Sequence, residues 1–135
     1  NCAYCMEGEL VAKFGIKICE LETSKVYLFK EQSHPGRCIV AHKKHVGDMN
    51  ELTAEERAAY FEDVARVARA IMKAFNPDKV NYGAYGDTGH HLHFHLCPKY
   101  KDEYEWGGVF LMNPDKKYLT DEEYADMIEK IKVNL

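Results

Sequence analysis

Seven histidines occur in 135 residues. Three of them alternate in His91-Leu92-His93-Phe94-His95-Leu96, just after His90. Strand side chains alternate faces with period two, so His91, His93 and His95 would line one face while Leu92, Phe94 and Leu96 bury the other. Three imidazoles on one polar face can bind an anion, hold a metal or attack an electrophile. A second chemical pair, Cys2-Ala3-Tyr4-Cys5, offers half of a zinc site.

A single metal does not account for all three histidines. Alternate strand residues lie about 6.6 Å apart, so His91 and His95 are roughly 13 Å apart at their backbones. Two neighbours can chelate one ion with remote ligands, and the third is left over. Nucleophilic catalysis uses all three. The central His93 attacks phosphorus or a carbonyl carbon and forms a covalent intermediate that water cleaves. His91 and His95 orient its tautomer and hydrogen-bond phosphate oxygens. Gly86-Asp87-Thr88-Gly89, immediately upstream, can bring backbone N–H groups and the Thr88 hydroxyl to the same anion. The bland alternative is a fortuitous run of surface histidines.

Leu10 to Phe14, Ile16 to Leu21, Lys25 to Phe29, Arg37 to Ala41 and Lys79 to Tyr85 are strand-like, and the histidine strand runs to Pro98. Thr53 and Glu56 form a capping box for a long helix ending near Asn76-Pro77, with Phe61, Val64, Ala68, Ile71, Met72 and Phe75 facing inward. Thr120 and Glu123 start a C-terminal helix that carries Tyr124, Met127, Ile128 and Ile131 inward. Strands, then helix, strands and helix predict an α+β fold with an antiparallel sheet, residues 1–135 forming one domain.

Hydrophobic content of 46%, charged content of 30% and a net charge of −4 describe a water-soluble chain without a nonspecific nucleic-acid surface. No apolar run approaches the roughly 18 residues of a membrane span, and no secretory signal is visible. The sequence starts at Asn1 rather than Met, so a few native residues are expected ahead of it. Five unevenly spaced cysteines fit a reducing, cytoplasmic setting rather than a disulfide scaffold. Cys19, Cys38 and Cys97 read as core thiols, and His34 as a solvated turn residue.

The run from Gly86 to Pro98 resembles the histidine-triad (HIT) signature, in which three histidines alternate with apolar residues. Pro35-Gly36-Arg37-Cys38-Ile39-Val40 is similar to the family's Pro-Gly-His turn and strand, Lys43-Lys44-His45 to its Pro-Lys-Lys-His segment, and Asn81-Tyr82-Gly83 to its Asn-x-Gly. The resemblance implies a HIT-like fold, a homodimer built through a continuous sheet, and hydrolysis or transfer at the α-phosphate of a nucleotide conjugate, a phosphoramidate or dinucleoside polyphosphate. It makes His93 the residue that carries the nucleotidyl group, flanked by His91 and His95, and Glu31 the nearest candidate for ribose binding. It implies a structural zinc on Cys2, Cys5, His45 and His91, which would also fix the strand carrying His93.

Departures from the pattern matter. Arg37 stands where the family often has a fourth histidine; it cannot act as a neutral imidazole but can bind phosphate in two-pronged fashion. Asp87 stands about where a phosphate-binding glutamine is usual, and its carboxylate repels phosphate unless protonated or paired, for example with Arg37. Together with Asn81 and Thr88, these are the candidate nucleotide-binding positions. Two further readings compete with the enzyme: a nucleotide-binding or zinc-binding regulatory module with little turnover, and a metal-dependent hydrolase using His91 and His93 as ligands. Trp106 and Tyr104 would either shape the leaving-group side or sit in the dimer contact.

Overall fold

The computed structural model describes residues 2–135. Its chain order is α1 (Ala3–Met6), α2 (Glu9–Ala12), β1 (Gly15–Glu20), β2 (Ser24–Phe29), β3 (Cys38–His42), α3 (Ala54–Phe75), β4 (Lys79–Gly83), β5 (His93–Lys99) and α4 (Asp121–Asn134). The strands form one antiparallel sheet in the order β1-β2-β3-β5-β4. The architecture is α+β, as the element order predicts.

The sheet has two different faces, and strand periodicity assigns them. Val26, Leu28, Cys38, Val40, Leu92 and Leu96 point to one side, where Val64, Val67, Ala70 and Ile71 of α3 and Ile131 of α4 complete the main core. On the other face Tyr27, Phe29, Ile39 and Ala41 cluster with Tyr4 and Val11 from the two short helices. Residues opposite each other in an antiparallel pair share a face. Ala41 is opposite His93 and Ile39 opposite His95, so those histidines stand on this second face.

Helix α3 begins where its capping box says it should. Thr53 Oγ1 accepts from Glu56 N at 3.1 Å and Glu56 returns to Thr53 N at 2.8 Å. It ends at Asn76 in the left-handed conformation, ahead of Pro77. Tyr60 donates its hydroxyl to Val40 O at 2.7 Å. The buried Asp63 accepts from Thr23 N, Thr23 Oγ1 and Ser24 Oγ, tying the helix to the β1–β2 turn. The same Thr and Glu pairing opens α4.

Several sequence expectations differ from the structure. Leu10 to Phe14 is not a strand: Glu9–Ala12 is a helical turn that buries Val11. Phe61 and Met72 lie toward the solvent side of α3, and the stripe is completed by Tyr60 and Val67 instead. β4 stops at Gly83 rather than Tyr85. A Cβ on Gly83 would sit 2.6 Å from the Tyr85 ring and 2.8 Å from Phe110, so the rings close over a backbone only glycine provides. Ladder pairing of the histidine strand begins at His93. His91 and Leu92 precede it, held by His42 N to Leu92 O and Leu92 N to Val46 O.

Candidate active site and metal cluster

His93 is buried on β5, and its Nδ1 lies 2.7 Å from the backbone oxygen of His91. A carbonyl only accepts, so Nδ1 carries the proton and Nε2 keeps a free lone pair. Burial pushes the His93 pKa below the ordinary histidine value, and the carbonyl contact offsets this only in part. The result is a neutral imidazole with its nucleophilic nitrogen available. The tautomer is set by a main-chain oxygen, not by the neighbouring imidazoles as the strand pattern suggests.

His91 is held in the opposite tautomer. Its Nε2 donates to His42 O at 2.6 Å, which leaves Nδ1 bare. That atom lies 3.2 Å from Cys2 Sγ, 3.5 Å from Cys5 Sγ and 3.2 Å from His45 Nδ1, and Cys5 Sγ is 3.3 Å from His45 Nδ1. All four candidate ligand atoms lie within 4.8 Å of one another. Tetrahedral zinc with bonds of about 2.0–2.1 Å to nitrogen and about 2.3 Å to sulfur separates its ligand atoms by roughly 3.3–3.8 Å. The cluster therefore fits a metal ion, and the contact between His91 Nε2 and the backbone is the support that ligating histidines use. Cys2 and Cys5 reach it because α1 is a single helical turn, which puts residues three apart on one side.

His95 lies two residues beyond His93, buried, with its ring edge against Phe29 at 5.3 Å and against His93 at 5.4 Å. The Arg37 guanidinium donates to its Nδ1 from Nη2 at 3.0 Å and Nε at 3.3 Å. Burial, then the adjacent Arg37 charge, hold the His95 pKa down at about 2. Gly36 makes the turn that delivers Arg37. Its φ is +95°, and a Cβ there would sit 2.6 Å from the Phe75 ring.

The three histidines line a cleft of about 580 Å³, within the range of small-molecule sites. Tyr4, Phe14, Phe29 and Met112 give it an apolar wall, while Asp87, Thr88 and Gly89 stand on its rim. Tyr4, between the two cysteines, packs its ring 5.1 Å from His93 and 5.4 Å from His91. The metal cluster and the histidine cleft thus share His91 and abut through Tyr4.

Not every predicted position joins the cleft. Arg37 is fully buried, and its remaining donors go to Leu111 O and Met112 O, each at 3.0 Å, so it neither pairs with Asp87 nor faces the cleft. Asp87 is exposed. Glu31 is buried and does not line the cleft; it lines an adjoining hollow with Phe14, Phe29 and Asn113, accepting from Ser33 N and Oγ and from Lys116 N and Lys117 N. Burial raises its pKa, but those bonds outweigh it and the net shift is downward. Asn81 lines a separate hollow on β4 with Lys79, Lys99 and Trp106. His34 is 2% exposed rather than solvated: its ring meets Glu105 at 2.6 Å and packs near Tyr104. The sequence pattern missed Tyr4, Phe14, Phe29 and Met112. Phe29 alone carried a signal, as the last inward residue of an alternating strand.

Comparison with known proteins agrees with this geometry. Residues 15–102 match the HIT domain. The chain is 28% identical over 141 residues, covering 96% of it and 99% of the relative, to an adenosine 5'-monophosphoramidase of Schizosaccharomyces pombe. A bis(5'-adenosyl)-triphosphatase of Dictyostelium discoideum is 28% identical over 76 residues, 53% of this chain and 51% of that one. Among solved structures, a histidine triad protein of Sinorhizobium meliloti superposes with a TM-score of 0.86 at 24% identity, over 95% of each chain. A zinc-bound histidine triad family protein of Mycobacterium smegmatis superposes with a TM-score of 0.69 at 21% identity, over 98% of this chain and 94% of that one. This chain belongs to the HIT-domain family, and curated relatives it matches carry hydrolase names.

Proposed function

We propose that this protein hydrolyses or transfers at the α-phosphate of a nucleotide conjugate, a nucleoside phosphoramidate or a dinucleoside polyphosphate, through a nucleotidyl-His93 intermediate. The observation that carries the proposal is the 2.7 Å contact between His93 Nδ1 and His91 O, which leaves Nε2 as a neutral nucleophile in a cleft of small-molecule size. The matched relatives, an adenosine phosphoramidase and a bis-adenosyl triphosphatase by name, support the substrate class. In the first step a bond forms between Nε2 and phosphorus as the bond to the leaving group breaks; the leaving group departs with that electron pair and takes a proton from solvent. Positive charge develops on the imidazole, and the His91 carbonyl stabilises it through Nδ1–H. In the second step water attacks phosphorus, the phosphorus–nitrogen bond breaks, and the water proton passes to solvent. Thr88 and the Gly89 backbone contact phosphate oxygens, and the planar base lies against the apolar wall of Tyr4, Phe14 and Phe29.

The Cys2, Cys5, His45 and His91 cluster takes a structural zinc, whose chemistry is to lock four ligands and so fix α1 and the start of β5. His93 needs no metal to attack phosphorus. The protein works as a homodimer. Support for that lies in the open edge of β4 and the exposed Tyr82, Val109 and Leu111. Its setting is cytoplasmic, which its five free cysteines suit. Among the described residues, no helix is long and apolar enough to cross a membrane.

The direct assay is release of AMP from adenosine 5'-phosphoramidate and from diadenosine triphosphate by wild type and His93→Ala. The proposal expects turnover that the variant abolishes while keeping its fold. One observation favours the regulatory-module reading, the Asp87 carboxylate on the rim. On that reading nucleotide binds and no monophosphate is released.

A further inference from the structure

Among the described residues, Arg37 is the charged side chain that hydrogen-bonds a ring of the triad, at His95 Nδ1. It is 0% exposed, its guanidinium carbon lies 4.2 Å over the Phe29 ring and 4.8 Å over Phe110, and two of its nitrogens converge on His95 Nδ1. Arginine carries five N–H donors and no acceptor, and it stays cationic. An imidazole nitrogen facing it has to be an acceptor, because a second N–H there would leave two donors opposed and two positive charges in contact. The neutral ring has one proton, so that proton sits on Nε2. Among the described residues His95 Nε2 meets no protein acceptor, and the ring lines the cleft.

We propose that Arg37 is a positioning residue that locks His95 as a neutral Nε2–H donor aimed at a non-bridging phosphate oxygen, rather than a phosphate ligand itself. The guanidinium serves the reaction at one remove. It polarises the imidazole it donates to, which strengthens the outward N–H bond, and its own charge stays shielded behind two aromatic rings. The rest of its fork goes to Leu111 O and Met112 O, and Glu105, itself paired with His34, accepts from Leu111 N. The segment that anchors Arg37 is therefore held from both sides, and the guanidinium has little freedom to swing into the cleft.

The catalytic half of the inference rests on the hydrolase reading; the tautomer half does not. Long-range proton–nitrogen correlation spectra of ¹⁵N-histidine protein read each ring's tautomer without substrate. Wild type is expected to show His95 with bare Nδ1 and protonated Nε2 at neutral pH. Arg37→Gln places an amide N–H about where the arginine Nε lies, so it keeps that tautomer and holds kcat within roughly tenfold of wild type. Arg37→Met fills the space with no donor. It mixes the two tautomers and lowers kcat on the order of 10²-fold, the usual cost of one oxyanion donor, with little change in KM. A wild-type His95 protonated on Nδ1, or on both nitrogens, overturns the lock. A Gln variant as impaired as Met, with KM raised in both, overturns the positioning role in favour of direct phosphate binding. If neither variant nor wild type releases AMP, the spectra alone decide the lock, and it is the hydrolase reading that has failed.

Discussion

Three alternating histidines hold two tautomers between them, and each follows from what its partner can offer. A carbonyl fixes His93 with Nε2 bare, another carbonyl fixes His91 with Nδ1 bare, and a guanidinium fixes His95 with Nε2 protonated. On the proposed reading, nucleophile, metal ligand and donor are thereby separated on one short segment. On the proposed reading the rim residue Asp87 works against the row, because its carboxylate lines the cleft that takes the anion. Asp87→Asn is expected to lower KM for a nucleotide substrate roughly threefold to fivefold, and to weaken the salt dependence of KM. Unchanged KM at low ionic strength would show that Asp87 lies outside the substrate's field. The alternating histidines and the Cys-x-x-Cys pair were legible in the sequence because spacing alone places them. The role of Arg37 was not, since nothing in Pro35-Gly36-Arg37 says whether the side chain turns toward the cleft or beneath it. Nor was the burial of His34, whose partner Glu105 lies 71 positions away.

The long elements were readable, and the short ones were not. Both capping boxes and the inward residues of α3 and α4 follow from local pattern. Helix α1 has four residues, too few to be stable by its own hydrogen bonds, so no propensity argument could find it. What holds it is Tyr4 packed on the histidines and the pair of cysteines meeting His45 and His91. Zinc bound there would stabilise the whole fold, by about 4 kcal/mol at a thousandfold excess over its Kd. A chelator is therefore expected to lower Tm and to speed backbone hydrogen exchange in residues 2–6, with zinc restoring both, and Cys5→Ser to abolish the effect. A Tm that ignores both chelator and zinc would mean the cluster carries no metal.

At the scale of the whole molecule, buried histidines set the response to acid. Burial lowers the pKa of His34, with Glu105 only partly offsetting it, lowers that of His42, and lowers that of His95 to about 2 with Arg37 adding to the effect. Each has a folded pKa below its unfolded value near 6.5. The unfolded chain therefore takes up protons first as pH falls. The stability is complete above about pH 6.5 and is lost progressively below it, toward the folded pKa values. Tm should fall between about pH 7 and about pH 5, before ordinary carboxylates titrate, and His42→Gln should flatten that slope. A flat Tm across that interval would show that these rings gain protons in the folded state at little cost.

In the proposed mechanism His93 becomes covalently nucleotidylated. Its most direct test is intact-protein mass spectrometry of the wild type within a single turnover of adenosine 5'-phosphoramidate, followed by fragmentation to locate the added group. A transient adenylyl group on His93, formed and lost at the rate AMP appears, is the predicted result. AMP release by wild type with no adduct, or equal release by His93→Ala, would contradict it.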